Sequence, residues 1–213
     1  MNLLSRWQKI GACCFTLGGL QYLLAERVTA LAWQQPRYFY RQNYISDLGI
    51  PQCGPQICSP LYAVMNSGFA LEGILFFSAC WLLRGLFSGW GRTLLLLTGL
   101  LHAVGGVMIA LFHSGGATEG VTLHQAGAVM AIGGGNLCLI SVGAWLLRRG
   151  ESRIYSWLSL LAGILGLLCM LAIPQGWLPV GLIERAAVYP ITVWQILTGM
   201  MLLLKANKRY TSG

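Results

Sequence analysis

The sequence predicts an all-α integral membrane bundle of six transmembrane helices with both termini in the cytoplasm. Three observations predict it. Hydrophobic residues make up 56% of the chain and charged residues only 9%, where a soluble domain carries about 25% charged residues. The apolar residues gather in blocks of roughly 20, the length a helix needs to cross a bilayer. The basic residues fall mostly in alternate gaps between those blocks, the bias that orients membrane helices.

The first block runs from Gln8 to Trp33, the second from Leu61 to Leu83 and the third from Thr93 to Phe112. The fourth runs from Leu123 to Leu147, the fifth from Tyr155 to Ile173 and the sixth from Arg185 to Leu204. Each is read as a helix, because lipid offers no other way to satisfy a lone segment's backbone polar groups. The blocks lack two-residue alternation and are too long for barrel strands. The first is kept as a span and not a signal peptide: it has no clear small-residue cleavage site, and Glu26 and Arg27 sit near its far end. The chain thus reads as one transmembrane domain, 1–213, with a long outer loop at 34–60.

Orientation comes from ten basic residues on one side: Arg6, Lys9, Arg84, Arg92, Arg148, Arg149, Arg153, Lys205, Lys208 and Arg209. Arg27, Arg37, Arg41 and Arg185 lie on or near the other. The positive-inside rule then puts both termini in the cytoplasm and the loops 34–60, His113–Thr122 and Pro174–Glu184 outside. The net charge of +8 is a topology signal; no basic face is dense enough to bind nucleic acid. No nucleotide, haem or phosphate-loop motif occurs, so no cofactor is expected. Membrane lipids are the expected partners, and the glycine-rich helix faces leave self-association open.

The first outer loop carries the most chemistry. Its stretch RQNYISDLGIPQCGPQIC (Arg41 to Cys58) holds a Ser-Asp pair and two cysteines across a Gly-Pro turn. Cys53 and Cys58 are expected to form a loop-closing disulfide, which an extracytoplasmic compartment preserves. A lone cysteine pair supports zinc only weakly, and no metal site is expected. Ser46 and Asp47 read either as a turn device, with Gly49 supplying a positive φ, or as functional groups. Within the spans, ionisable side chains are costly and mark candidate sites: Glu72 in the second and His102 in the third. His102, Gly106, Ile109 and His113 recur at helical spacing on one face, as do His124, Gly127, Ala131 and Gly135, with Asn136 beside them. The plainer readings are that Glu72 and His102 hydrogen-bond each other or a backbone carbonyl, that the glycine face is packing, that His113 and His124 are interfacial residues in contact with water, and that the aromatic residues near span ends form an interfacial belt.

The motif Tyr44-Ile45-Ser46-Asp47-Leu48-Gly49 resembles the signature of a bacterial membrane family catalogued as domain of unknown function 998. Ser59-Pro60 with Asn66-Ser67-Gly68, Leu111-Phe112, His124, and Gly181-Leu182-Ile183-Glu184-Arg185 with Trp194 agree more loosely. The chain is also more distantly similar to six-span autophagy modulators and fungal suppressor proteins. The resemblance implies a six-span bundle, multi-pass in a bacterial inner membrane, and little about activity. Family members often carry Phe-Pro after the third span, where this chain has Phe112-His113, so no role for His113 follows from it. Asp47, His124, Glu184 and Arg185 would then share the outer rim. Arg185 or a protonated His124 is expected to pair with Asp47, Ser46 adding a hydrogen bond. The bridged loop would thereby be anchored as a roof over the bundle.

Three functional classes follow. The leading one is a non-enzymatic binder of lipid or a small amphiphile in an outward-facing pocket. The second is an intramembrane hydrolase of lipid amide or ester bonds, with Ser46, Asp47, His113 and His124 as catalytic candidates. Against it, His102 and His113 are eleven residues apart, roughly 16 Å along a helix, and no nucleophile elbow occurs. The third is a proton-coupled carrier using Glu72 and His102; no inverted repeat or proline-broken span is read in its favour.

Overall fold

The computed structural model describes residues 4–114 and 121–208. Residues 115–120 of the second loop expected outside, and Arg209 of the basic set, lie outside the described residues. Six long helices follow one another: α1 (Arg6–Ala32), α2 (Tyr62–Leu83), α3 (Gly89–Leu111), α4 (Leu123–Arg148), α5 (Arg153–Ala172) and α6 (Val180–Lys208). No strand occurs among the described residues. α3 and α6 begin earlier than the expected spans, at Gly89 and Val180. Polar capping residues precede α1 and α4. Ser5 and Thr122 each accept from the backbone of the third helical residue, Gln8 and Gln125, whose side chains reach back to the cap, satisfying two otherwise orphaned donors per helix.

Side-chain pairs show that neighbouring helices run antiparallel. Trp145 near the end of α4 donates to Ser88 ahead of α3 (3.1 Å), while His124 at the start of α4 bonds the Phe112 carbonyl after α3 (2.7 Å). Tyr155 meets Thr198 and Trp194 meets Ser159 between α5 and α6. Each helix packs on the next, and α6 closes on α1. α4 and α6 also touch behind α5, through Asn136 donating to the Ala187 carbonyl (2.9 Å). α5 is therefore peripheral, and five helices enclose the centre.

The closest crossing is between α3 and α4. A Cβ built on Gly105 would lie 2.2 Å from the Ala131 nitrogen, and one on Gly134 would lie 2.6 Å from the His102 nitrogen. Small residues at such a crossing are what membrane helices use to approach backbone to backbone.

Five helices, α2 to α6, are long and apolar enough to cross a membrane. α1 is 27 residues long but carries more polar side chains, and their direction explains why. Leu17, Leu20, Leu24, Val28 and Leu31 are exposed, whereas Glu26 and Thr29 are buried. An apolar exterior around a polar interior suits a helix solvated by lipid.

Pro190 lies inside α6, which runs through it as one helix. Proline removes a backbone donor. The Asn136 amide reaches a carbonyl of that same turn, as neighbouring helices commonly do around membrane prolines.

Candidate functional site

Two apolar clusters fill the bundle, one around Phe15, Phe76, Leu139 and Trp194, the other around Tyr22, Trp33, Leu48 and Phe69. Between them lies a polar layer. Glu72 of α2 meets His102 of α3 at 2.8 Å (Oε2 to Nε2), and Gln195 of α6 donates to the other Glu72 oxygen at 2.8 Å. His102 Nδ1 is 2.6 Å from the Ala131 carbonyl. A carbonyl only accepts, so Nδ1 carries a proton. The Glu72–His102 contact then holds one more proton, on either atom, and the pair has no net charge in either form. All three residues are buried, where an isolated charge is costly.

Above this layer is a cavity of about 60 Å³. All five central helices contribute to it: Tyr22, Glu72, His102, His124 and Glu184 among them. Ile45 and Ser46 form its roof. They belong to a short 3₁₀ turn and its cap, Ser46–Gly49 after Ile45. His124 Nδ1 donates to the Phe112 carbonyl, which leaves Nε2 of the neutral ring as an acceptor. Glu184 accepts from the Ile45 amide, and this bond ties the roof to α6. The cavity thus has apolar walls and a few convergent acceptors, the usual make-up of a small-molecule site.

The rim is anchored differently from the sequence expectation. Arg185 pairs with Glu26 of α1 at 2.9 Å, not with Asp47. Its guanidinium also donates to the carbonyls of Tyr40 (2.7 Å), Gly181 (2.8 Å) and Asn43 (3.2 Å), and to the Tyr38 hydroxyl. It sits 4.8 Å from the Tyr40 ring centre. Tyr189 donates to Glu26 as well. One buried guanidinium therefore gathers α1, α6 and the 38–43 segment.

Asp47 instead accepts from the Tyr44 amide at 2.9 Å, a local turn bond. Burial pushes its carboxyl above the ordinary 3.8, opposed by the Tyr44 bond. Gly49, expected at positive φ, lies in the 3₁₀ turn and is not among the positive-φ residues. Its Cβ position is crowded by the Asn66 side chain, so close approach is what requires glycine there. Asn66 and Ser59 hold the turn by donating to the carbonyls of Gly49 (2.9 Å) and Leu48 (2.6 Å).

The Cys53–Cys58 disulfide is present. It closes an exposed hairpin in which Gly54 donates to Ile57, and it does not roof the bundle; the 3₁₀ turn does. Of the other candidates, Ser46, Glu72, His102, His124 and Glu184 line the cavity, while Asp47, His113, Arg185 and Asn136 do not. His113 is exposed beyond the end of α3, and Asn136 faces Gly166 of α5. Among the described residues no group of three His, Cys, Asp or Glu is placed to hold a metal ion, and no hydrogen bond joins Ser46 to a histidine.

Sequence reasoning missed Glu26, Tyr38, Tyr189 and Gln195. Glu26 had a signal: it lies opposite the leucine stripe of α1.

Residues 16–201 match the family described as Protein of unknown function (DUF998), and the chain belongs to that family. No curated protein and no solved structure matches it.

Proposed function

We propose that this DUF998 member is a non-enzymatic binder that holds a small amphiphile in the outer half of its bundle. The cavity between the Glu72–His102 layer and the Ile45–Ser46 roof carries the reading. Its volume of about 60 Å³ suits a headgroup or the end of one chain, not a whole lipid. Tyr22, Phe69 and Ile109 offer apolar wall, and His124 Nε2 and the Glu184 carboxyl offer acceptors to the polar end. The basic residues at the opposite end support, by the positive-inside rule, an orientation with this cavity toward the extracytoplasmic side of a bacterial inner membrane.

The test is extraction and mass spectrometry of small molecules that remain with the purified protein. Wild type is expected to retain one amphiphile class that Ala128→Phe, which fills the cavity, releases without lowering the melting temperature. Identical extracts from both proteins would sink the reading.

A proton-coupled carrier is the second reading, and the one-proton Glu72–His102 pair on the cavity floor favours it. It requires solute flux that follows a proton gradient and stops in Glu72→Gln.

A further inference from the structure

A second site lies at the opposite end of the bundle, where α1 begins and α6 ends. A groove of about 520 Å³ opens between the start of α1 and the α2–α3 turn. Trp7, Gln8, Trp81, Leu82, Arg84 and Arg92 line it, and no carboxylate does. Arg84 donates to the Trp81 carbonyl and its guanidinium lies 4.2 Å from the Trp81 ring centre. Arg92 donates through Nε to the Phe87 carbonyl at 3.1 Å. Each guanidinium is fixed by one carbonyl and keeps further N–H donors. In the sequence, 84–92 and 148–153 contain a single acid, Glu151, and Arg149 engages it at 3.1 Å. The two groove arginines have no acidic partner among the described residues.

The groove does not end at its charges. A second groove, about 420 Å³ and lined by Phe77, Ser78, Trp81 and Leu82, runs along the outer surface of α2. Trp81 and Leu82 belong to both. Phe77 lies one turn from Trp81 in the direction of the membrane interior, the two rings 6.4 Å apart. A cationic notch thus adjoins an apolar groove at Trp81 and Leu82. At the same level Arg148 stacks over Trp90 and Arg149 over Trp145, the aromatic and basic make-up of a membrane interface.

We propose that these joined grooves bind an anionic phospholipid of the adjoining leaflet. The phosphate lies between Arg84 and Arg92, where guanidinium groups match its geometry. One acyl chain lies over Trp81, Leu82 and Phe77. The fixed positive charge selects an anionic headgroup over a zwitterionic one, and the apolar continuation selects a lipid over free phosphate. The site is independent of the cavity proposed above.

The experiment uses the full chain, reconstituted in vesicles of phosphatidylcholine or of an equimolar phosphatidylcholine–phosphatidylglycerol mixture, then released for native mass spectrometry. Wild type is expected to retain phosphatidylglycerol in preference to phosphatidylcholine. Each of Arg84→Gln and Arg92→Gln is expected to weaken that retention about fivefold, from roughly 1 kcal/mol per basic residue at the membrane surface. Arg84→Lys keeps most of it, which separates lost charge from lost folding, and Ala128→Phe leaves it untouched. Equal retention by wild type and the Arg84→Gln/Arg92→Gln double variant would overturn the proposal. So would an equal loss in Arg149→Gln, which would mean diffuse attraction, or full displacement by soluble glycerol phosphate, which would mean a headgroup site without a lipid channel.

Discussion

Replacing Arg185 by Gln tests the assignment of the rim. The Arg185 and Glu26 side chains are 8% and 2% exposed. Removing one partner of a buried pair leaves the other charge unmatched, at about 3–5 kcal/mol. Arg185→Gln also strips donors from the Tyr40, Asn43 and Gly181 carbonyls, so the upper part of that range applies. For a chain of this size, about 2–4 °C per kcal/mol turns about 4–5 kcal/mol into a fall of roughly 8–20 °C. The assay is thermal unfolding in one fixed detergent, followed by tryptophan fluorescence. Glu26→Gln should cost less, since an amide still accepts from Arg185 and Tyr189. The double variant should cost less than the sum of the two, because each single change already breaks the same contact. An unchanged melting temperature in Arg185→Gln, or strict additivity in the double variant, would refute the pairing.

Asp47 titrates in the opposite sense to an ion-paired carboxylate. Its folded value is raised above 3.8 by burial, so its stabilising contribution is complete below that pH and is lost as pH rises through the raised value. Wild type should therefore lose melting temperature relative to Asp47→Asn on going from acid toward neutral pH; the reverse trend would restore the Arg185 pairing. Gly105→Leu should prevent recovery of folded protein, because even a Cβ there would lie 2.2 Å from the Ala131 nitrogen; a monodisperse, wild-type-like elution profile would contradict the crossing. Cys53→Ser with Cys58→Ser should cost on the order of 2 kcal/mol for so short a loop and leave amphiphile retention intact. Lost retention at an unchanged melting temperature would restore the hairpin to the roof.

Helix positions were legible because lipid demands long apolar blocks and a lone block can only be helical. The Cys53–Cys58 closure was legible from spacing and compartment. For Glu72 and His102 the sequence left two partners open, each other or a backbone carbonyl, and His102 takes both, Glu72 at one ring nitrogen and the Ala131 carbonyl at the other. Partners from more distant parts of the chain were not legible. Glu26 and Arg185 are 159 positions apart, and they meet only because α6 closes the ring against α1. Asp47 was assigned to Arg185 or His124 because all three belong to the rim, yet Arg185 meets Glu26 and His124 meets the Phe112 carbonyl. Level along the membrane normal is readable from a sequence, but azimuth around the bundle is not, and azimuth decides which rim residues touch.

The sense of a helix's polarity does carry azimuth, once the solvent is known. In water, the apolar stripe of a helix points inward. In lipid the exterior is apolar as well, so the polar residues become the inward marker. α1 shows this directly: Leu17, Leu20, Leu24 and Leu31 face out while Glu26 and Thr29 are buried. Applied to α6, the same rule groups Glu184, Thr192 and Gln195, all buried, on the face that meets the cavity and the Glu72 layer. The chain concentrates its few polar side chains where five helices converge, and that concentration ties the roof turn, the one-proton pair and the cavity between them into one site.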